Sequence, residues 1–192
     1  GVRGKKAIEW KLVDYIAPPS KFNDLINERV AEVSNTVKLR NGVEAVKLNK
    51  LNRDITNEGI NYDCIKSNVD RESRIANIHI LGPTKKDLVS IKQAEKLGSD
   101  WWPLKLAREL EDLILLLRTN ELEVGVFTIT SEGDKGHTLE VTSILEKNKN
   151  IWFINEIIGY LRRTLSRLDL SSRSIFTIID NKSCFSGILA EL

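Results

Sequence analysis

An α/β architecture follows from three observations on the sequence. Apolar, β-branched runs at 75–81, 124–130 and 174–180 have the length and composition of buried strands. Between them lie two long amphipathic patterns. Leu104, Leu106, Ala107, Leu110, Leu113, Ile114 and Leu117 repeat at helical spacing, as do Ile151, Ile154, Ile157, Ile158, Leu161, Leu165 and Leu168. Strands that alternate with helices of this length favour parallel pairing through right-handed crossovers, a sheet covered by a helical layer.

Taken in order, residues 1–16 read as a short helix running into a strand end, stopped by Pro18-Pro19. Ser20 is the expected N-cap of a second helix, in which Phe22, Leu25, Ile26, Val30 and Val33 form one face. Residues 34–59 are polar, Asn-rich and weakly periodic, which marks a linker and a domain boundary. From Gly59 the period changes. Tyr62, Cys64 and Ile65 lead into a strand or hairpin, 70–74 into a turn, and 75–81 into a strand closed by Gly82-Pro83. A helix with a thin apolar face is expected over 84–97. Pro103 sits in the first turn of the next helix, where a missing N–H costs little. Ser131 to Gly136 is a turn after the 124–130 strand. At 174–192 a strand, a turn of small residues and the start of a helix follow one another. The chain opens at Gly1 without a methionine and stops inside an apolar helical pattern, which is the signature expected of an internal fragment. Isolated, such a piece is expected to be poorly stable, with the apolar faces of 104–117 and 151–168 left bare.

The composition narrows the function. The 29 basic and 27 acidic residues give a net charge of +2 over 192 residues, and they are mixed along the chain. A nucleic-acid partner would call for a basic patch with interleaved aromatics, so none is expected. The apolar run at 113–117 is far too short to span a membrane. Cys64 and Cys184 lie far apart, and neither they nor His79 and His137 have neighbours at metal-ligand spacing. Free thiols in a reducing compartment are expected, with Cys184 a buried structural thiol. His79 alternates within its strand and should face outward.

Two segments could carry chemistry. A turn of small residues ahead of a helix start offers unpaired N–H groups and a partial positive charge. The backbone N–H groups of Gly187 and Ile188 are therefore candidate donors to an enolate or thioester oxygen, with Glu191 one turn on as general acid or base. The competing reading is an ordinary strand-to-helix connection with Glu191 solvated. Glu132, Gly133 and Asp134 follow the second strand, at the end where α/β sheets bind ligands, and compete with a plain solvated turn. Trp101-Trp102-Pro103 reads as packing or a subunit contact ahead of a ligand platform, and Arg162, Arg163, Arg167 and Arg173 as an ion-paired helix surface ahead of a phosphate grip.

Several phrases carry a resemblance. Gly1 to Asp14, ending in Leu-Val-Asp, resembles the late segment of a crotonase core. Trp101-Trp-Pro-Leu-Lys-Leu-Ala-Arg-Glu-Leu110 with Leu117-Arg-Thr-Asn120 is more specific, as are Thr130-Ser-Glu-Gly-Asp134, Ile158-Gly-Tyr-Leu-Arg-Arg163, Ser171-Ser-Arg-Ser174 and Ser183-Cys-Phe-Ser-Gly187. Together, and in order, they resemble the ring-opening benzoyl-CoA-dihydrodiol lyases of the crotonase (enoyl-CoA hydratase/isomerase) superfamily. The resemblance implies crotonase-like β/α spiral units. Residues 1–45 would be the tail of a first core, 46–74 a connection, and 75–192 the front half of a second. It implies hydrolytic opening of 2,3-epoxybenzoyl-CoA to an open-chain semialdehyde CoA thioester and formate. No cofactor is implied, since coenzyme A is part of the substrate. A cytoplasmic homo-oligomer is the expected form.

The crotonase turn usually reads Asn-Gly, three residues, then Gly-Gly-Gly, with an acidic residue shortly after. Here Asn181-Lys182 leads through Ser183-Cys184-Phe185-Ser186 to Gly187, and Ile188 and Leu189 stand where further glycines would. Glu191 matches the acidic position and is the only side chain carried over. The departures leave open a non-catalytic copy that supports assembly, or a generic enoyl-CoA hydratase or isomerase.

Overall fold

A computed structural model describes residues 1–37 and 45–192. Its contacts divide the chain into two compact units, Gly1–Ala45 and Val46–Leu192. The part of the polar 34–59 stretch that falls at 38–44 lies outside the described residues.

In the first unit, α1 (Lys5–Glu9) ends where Lys11 takes a left-handed φ of 55°. The strand end expected after it does not form, because a strand needs a hydrogen-bonded partner and the described residues of this unit offer none. Pro19 opens a short 3-10 turn (Pro19–Lys21), and α2 (Phe22–Thr36) follows with Lys21 at its N-cap and no side-chain cap. The expected cap, Ser20, lies inside that turn. The proline's fixed φ starts the turn one residue earlier than the serine would have capped it. Arg29 stacks on the Tyr15 ring at 4.4 Å and donates to its hydroxyl at 3.0 Å.

The second unit is a six-stranded sheet flanked by helices. The strands are β1 (Asp54–Ile55), β2 (Ile60–Asn61), β3 (Ile65–Asp70), β4 (Ile75–Leu81), β5 (Val126–Glu132) and β6 (Ser174–Thr177), and they lie side by side in chain order. β1 to β4 pair antiparallel, and β4, β5 and β6 pair parallel. Gly59 has no room for a side chain. A Cβ there would stand 2.1 Å from the Ser67 carbonyl oxygen.

The alternation of each strand decides which way it faces. Ile65, Ser67 and Val69, then Ala76, Ile78 and Ile80, then Phe127, Ile129 and Ser131 point to the buried side. There they meet α4 (Trp102–Asn120), whose Leu106, Leu110, Leu113, Ile114 and Leu117 join the same core. α6 (Trp152–Asp169) packs outside α4 around Trp101, Leu104, Ala107, Phe153 and Ile157. The faces expected to be bare at 104–117 and over much of 151–168 are thus largely covered, because sheet, α4 and α6 bury one another. The opposite side of the sheet carries no helix among the described residues. It presents Asn77, His79, Thr128, Thr130 and Glu132.

The 84–97 segment forms two pieces, a 3-10 turn (Lys85–Asp87) and α3 (Ile91–Leu97). Reciprocal capping boxes start them at Thr84/Asp87 and Ser90/Gln93. Trp101 and Trp102 are both buried, donating their indole N–H groups to the carbonyls of Asp87 at 3.0 Å and Leu81 at 2.9 Å. Sequence periodicity missed α5 (Lys135–Lys147), which runs from β5 toward α6. The last strand is shorter than the apolar run 174–180. Just beyond it the Ile178 N–H reaches across to the Ile129 carbonyl at 2.8 Å. Among the described residues no helix is long and apolar enough to cross a membrane, and no group of three potential metal ligands forms.

Candidate functional site

The parallel strands β4, β5 and β6 end on one side of the sheet, and two glycines pack closely against a cysteine there. A Cβ on Gly82 would meet the Cys184 sulfur at 2.7 Å. One on Gly133 would meet the Gly82 Cα at 3.1 Å and the same sulfur at 3.2 Å. The Gly133 N–H donates to the Lys182 carbonyl at 3.2 Å, and the Cys184 N–H to the Ser131 hydroxyl at 3.0 Å. Cys184 is fully buried in this knot, consistent with a structural thiol.

Asp134 follows immediately and caps α5. Its Oδ1 accepts the N–H groups of Gly136 at 2.7 Å and His137 at 3.2 Å. Those bonds hold its carboxyl below the usual range, that to His137 most. Glu132 ends β5 on the helix-free face, 3.7 Å from His79 Nε2, while His79 Nδ1 pairs with the Thr130 hydroxyl at 2.9 Å. The three residues Glu132, Gly133 and Asp134 therefore have a surface pair, a packing contact and a helix cap as their contacts, and they do not line the groove described next.

Gly187, Ile188 and Glu191 do come together. The end of the chain is a 3-10 turn (Gly187–Glu191), where the beginning of a longer helix was expected. It closes one side of an open groove of about 800 Å³ whose other walls are α5, α6 and β6. Leu145, Leu161, Leu165 and Ile175 supply apolar surface. Charge comes from Glu146, Asp169 and Glu191 against Arg162. Three carboxylates and one guanidinium suit an uncharged acyl or aryl group better than phosphates. Glu191 is exposed.

The turn is pinned from α5. Thr142 Oγ1 accepts the Ile188 N–H at 3.1 Å, and Ser186 Oγ donates to the Lys135 carbonyl at 3.1 Å. The Ile188 N–H, a candidate donor to a ligand oxygen, is thus engaged within the protein. Gly187 has φ 50°, and a Cβ there would lie 2.1 Å from Thr142 Oγ1.

No family model matches the chain. A curated relative does, at 38% identity over all 192 residues: benzoyl-CoA-dihydrodiol lyase of Aromatoleum evansii. The chain resembles that lyase from end to end. It spans 35% of the lyase's length. The alignment covers both the glycine–cysteine knot and the groove.

Thr142 and Glu146 were not singled out as site residues by sequence reasoning, and Arg162 was read as helix surface rather than as a phosphate grip. Thr142 and Glu146 lie on α5, the helix whose periodicity is weakest. Glu109 was also missed, although its signal was present as a lone carboxylate inside the apolar face of α4.

Proposed function

We propose that this chain is part of a CoA-thioester ring-opening enzyme of the benzoyl-CoA-dihydrodiol lyase type. The substrate would be 2,3-epoxybenzoyl-CoA, opened hydrolytically to a semialdehyde CoA thioester with release of formate. The observation that carries the reading is the 38% identity along the entire chain. The crotonase-like fold belongs to the same proposal, and the mixed sheet with helices against it is compatible with that fold. The thioester activates its own acyl group, so the chemistry asks for oriented N–H donors and a carboxylate rather than a redox group. In this reading Glu191 moves the proton, Gly187 supplies the remaining backbone donor, and the apolar wall of the groove holds the ring. A cytoplasmic homo-oligomer is the proposed form.

One observation favours a second reading, in which this segment supports assembly while the chemistry lies elsewhere in a longer protein. The Ile188 N–H is already taken by Thr142. Formate release from 2,3-epoxybenzoyl-CoA by the product of the complete reading frame, beside its Glu191→Gln variant, separates the two. A loss of kcat of about a hundredfold or more with the fold intact supports catalysis at Glu191. Unchanged turnover makes this segment structural, and no turnover by the unmodified protein removes the ring-opening reading.

A further inference from the structure

We infer that Thr142 is a positioning residue, fixing the turn Gly187–Glu191 and through it the placement of Glu191 on the groove. The inference deepens the functional reading above and rests on it. The Thr142 hydroxyl has one proton, and that proton goes to the Thr138 carbonyl at 2.8 Å, one turn back along α5. Its lone pairs are therefore left to accept, and the Ile188 N–H fills that role at 3.1 Å. The same oxygen occupies the space where a side chain at Gly187 would begin, 2.1 Å from an ideal Cβ. Glycine at 187 thus answers two demands together, a left-handed φ of 50° and room for the peg from α5.

The second tether, from Ser186 to the Lys135 carbonyl, holds the turn at the start of the same helix. α5 is itself set by the Asp134 cap at the end of β5. Strand end, cap, helix and hydroxyl form one chain of support, and the turn hangs from its last member. Removing the Thr142 acceptor leaves a half-buried N–H unsatisfied and frees the turn to rotate, while the groove, which Thr142 itself lines, loses one hydroxyl and keeps its other walls. The expected defect is in the placement of Glu191 rather than in the binding surface, hence in kcat rather than KM.

The test compares Thr142→Val, which keeps the shape and loses the acceptor, with Thr142→Ser, which keeps the hydroxyl, in the product of the complete reading frame. Two readouts are taken, amide hydrogen exchange across 183–192 and steady-state turnover of 2,3-epoxybenzoyl-CoA. The expected result for T142V is exchange faster by about tenfold and kcat lower by about tenfold at unchanged KM, with T142S close to the parent in both. Turnover indifferent to T142V overturns the role whatever the exchange shows, and so does a fall in kcat that T142S does not rescue. An unmodified protein without turnover overturns the functional reading and this role together. That result is told apart from failure of the inference alone, in which the parent turns over normally.

Discussion

The Glu109 carboxylate, on α4 and inside the core, accepts the backbone N–H of Cys64 at 2.7 Å. It clasps the connection between β2 and β3 to the helix that crosses them. Burial pushes the acid up to about 7, against the pull of the N–H bonds from Cys64 and Asp63 and of Lys105, while the Asp63 charge adds to the rise. The same burial, with Glu109 beside it, pushes the Cys64 thiol up.

A pH dependence of stability follows. Below the ordinary carboxylate range, folded and unfolded chains both hold this proton and its contribution is fully present. As pH rises toward 7 the unfolded chain releases the proton first, and stability falls by on the order of 2 kcal/mol before levelling. Urea midpoints between pH 4.5 and 8 are expected to decline in the parent and to flatten in Glu109→Gln. An equal slope in the variant would show that other groups set the dependence.

Cys184 and Gly82 are expected to be coupled. Gly82→Ala forces a Cβ to 2.7 Å from the Cys184 sulfur, inside the buried knot at the strand ends. The expected cost is about 2 kcal/mol. Cys184→Ala removes the obstructing atom at its own cavity cost. The double variant should therefore be more stable than the sum of the single losses allows, by about 1 kcal/mol, as read from denaturant midpoints in a double-mutant cycle. Strict additivity would mean that the backbone, rather than the sulfur, limits the space.

Arg173 gathers carbonyls from the segments that follow α4 and α6. Its guanidinium donates to Val124 at 3.0 Å, Glu121 at 3.3 Å and Ser171 at 2.8 Å, with its carbon 5.4 Å from the centre of the Phe127 ring. Arg173→Met is expected to destabilise the chain by about 2 kcal/mol, since it removes the donors to the Val124 and Ser171 carbonyls. Arg173→Lys should recover little of that, because a single ammonium cannot span the fork. Thermal midpoints of the two variants check this, and full recovery by lysine would reduce the role to charge alone.

The sequence reading succeeded where one face of an element is uniformly apolar. The run 75–81 is β4 residue for residue, and the 104–117 stripe lies wholly within α4. It failed where burial is sparse or context supplies the signal. α5 buries only Thr138, Val141 and Leu145, two apolar positions in 13 residues, so its pattern stays below notice. The 174–180 run is long enough for a strand, yet β6 stops at Thr177, although β5 runs on to Glu132. At the groove, Gly187 and Glu191 were visible as residue types. Thr142 was not, because its role depends on a contact 46 residues away that no local pattern records.

The order of the strands in the sheet is also the order in which they leave the ribosome. Each strand finds its neighbour already made, so none must wait for a later one to be wedged between two earlier ones. The sheet can grow by addition at a single moving edge. During synthesis the growing edge passes from β1 through to β6, while the outer side of β1 stays an edge throughout.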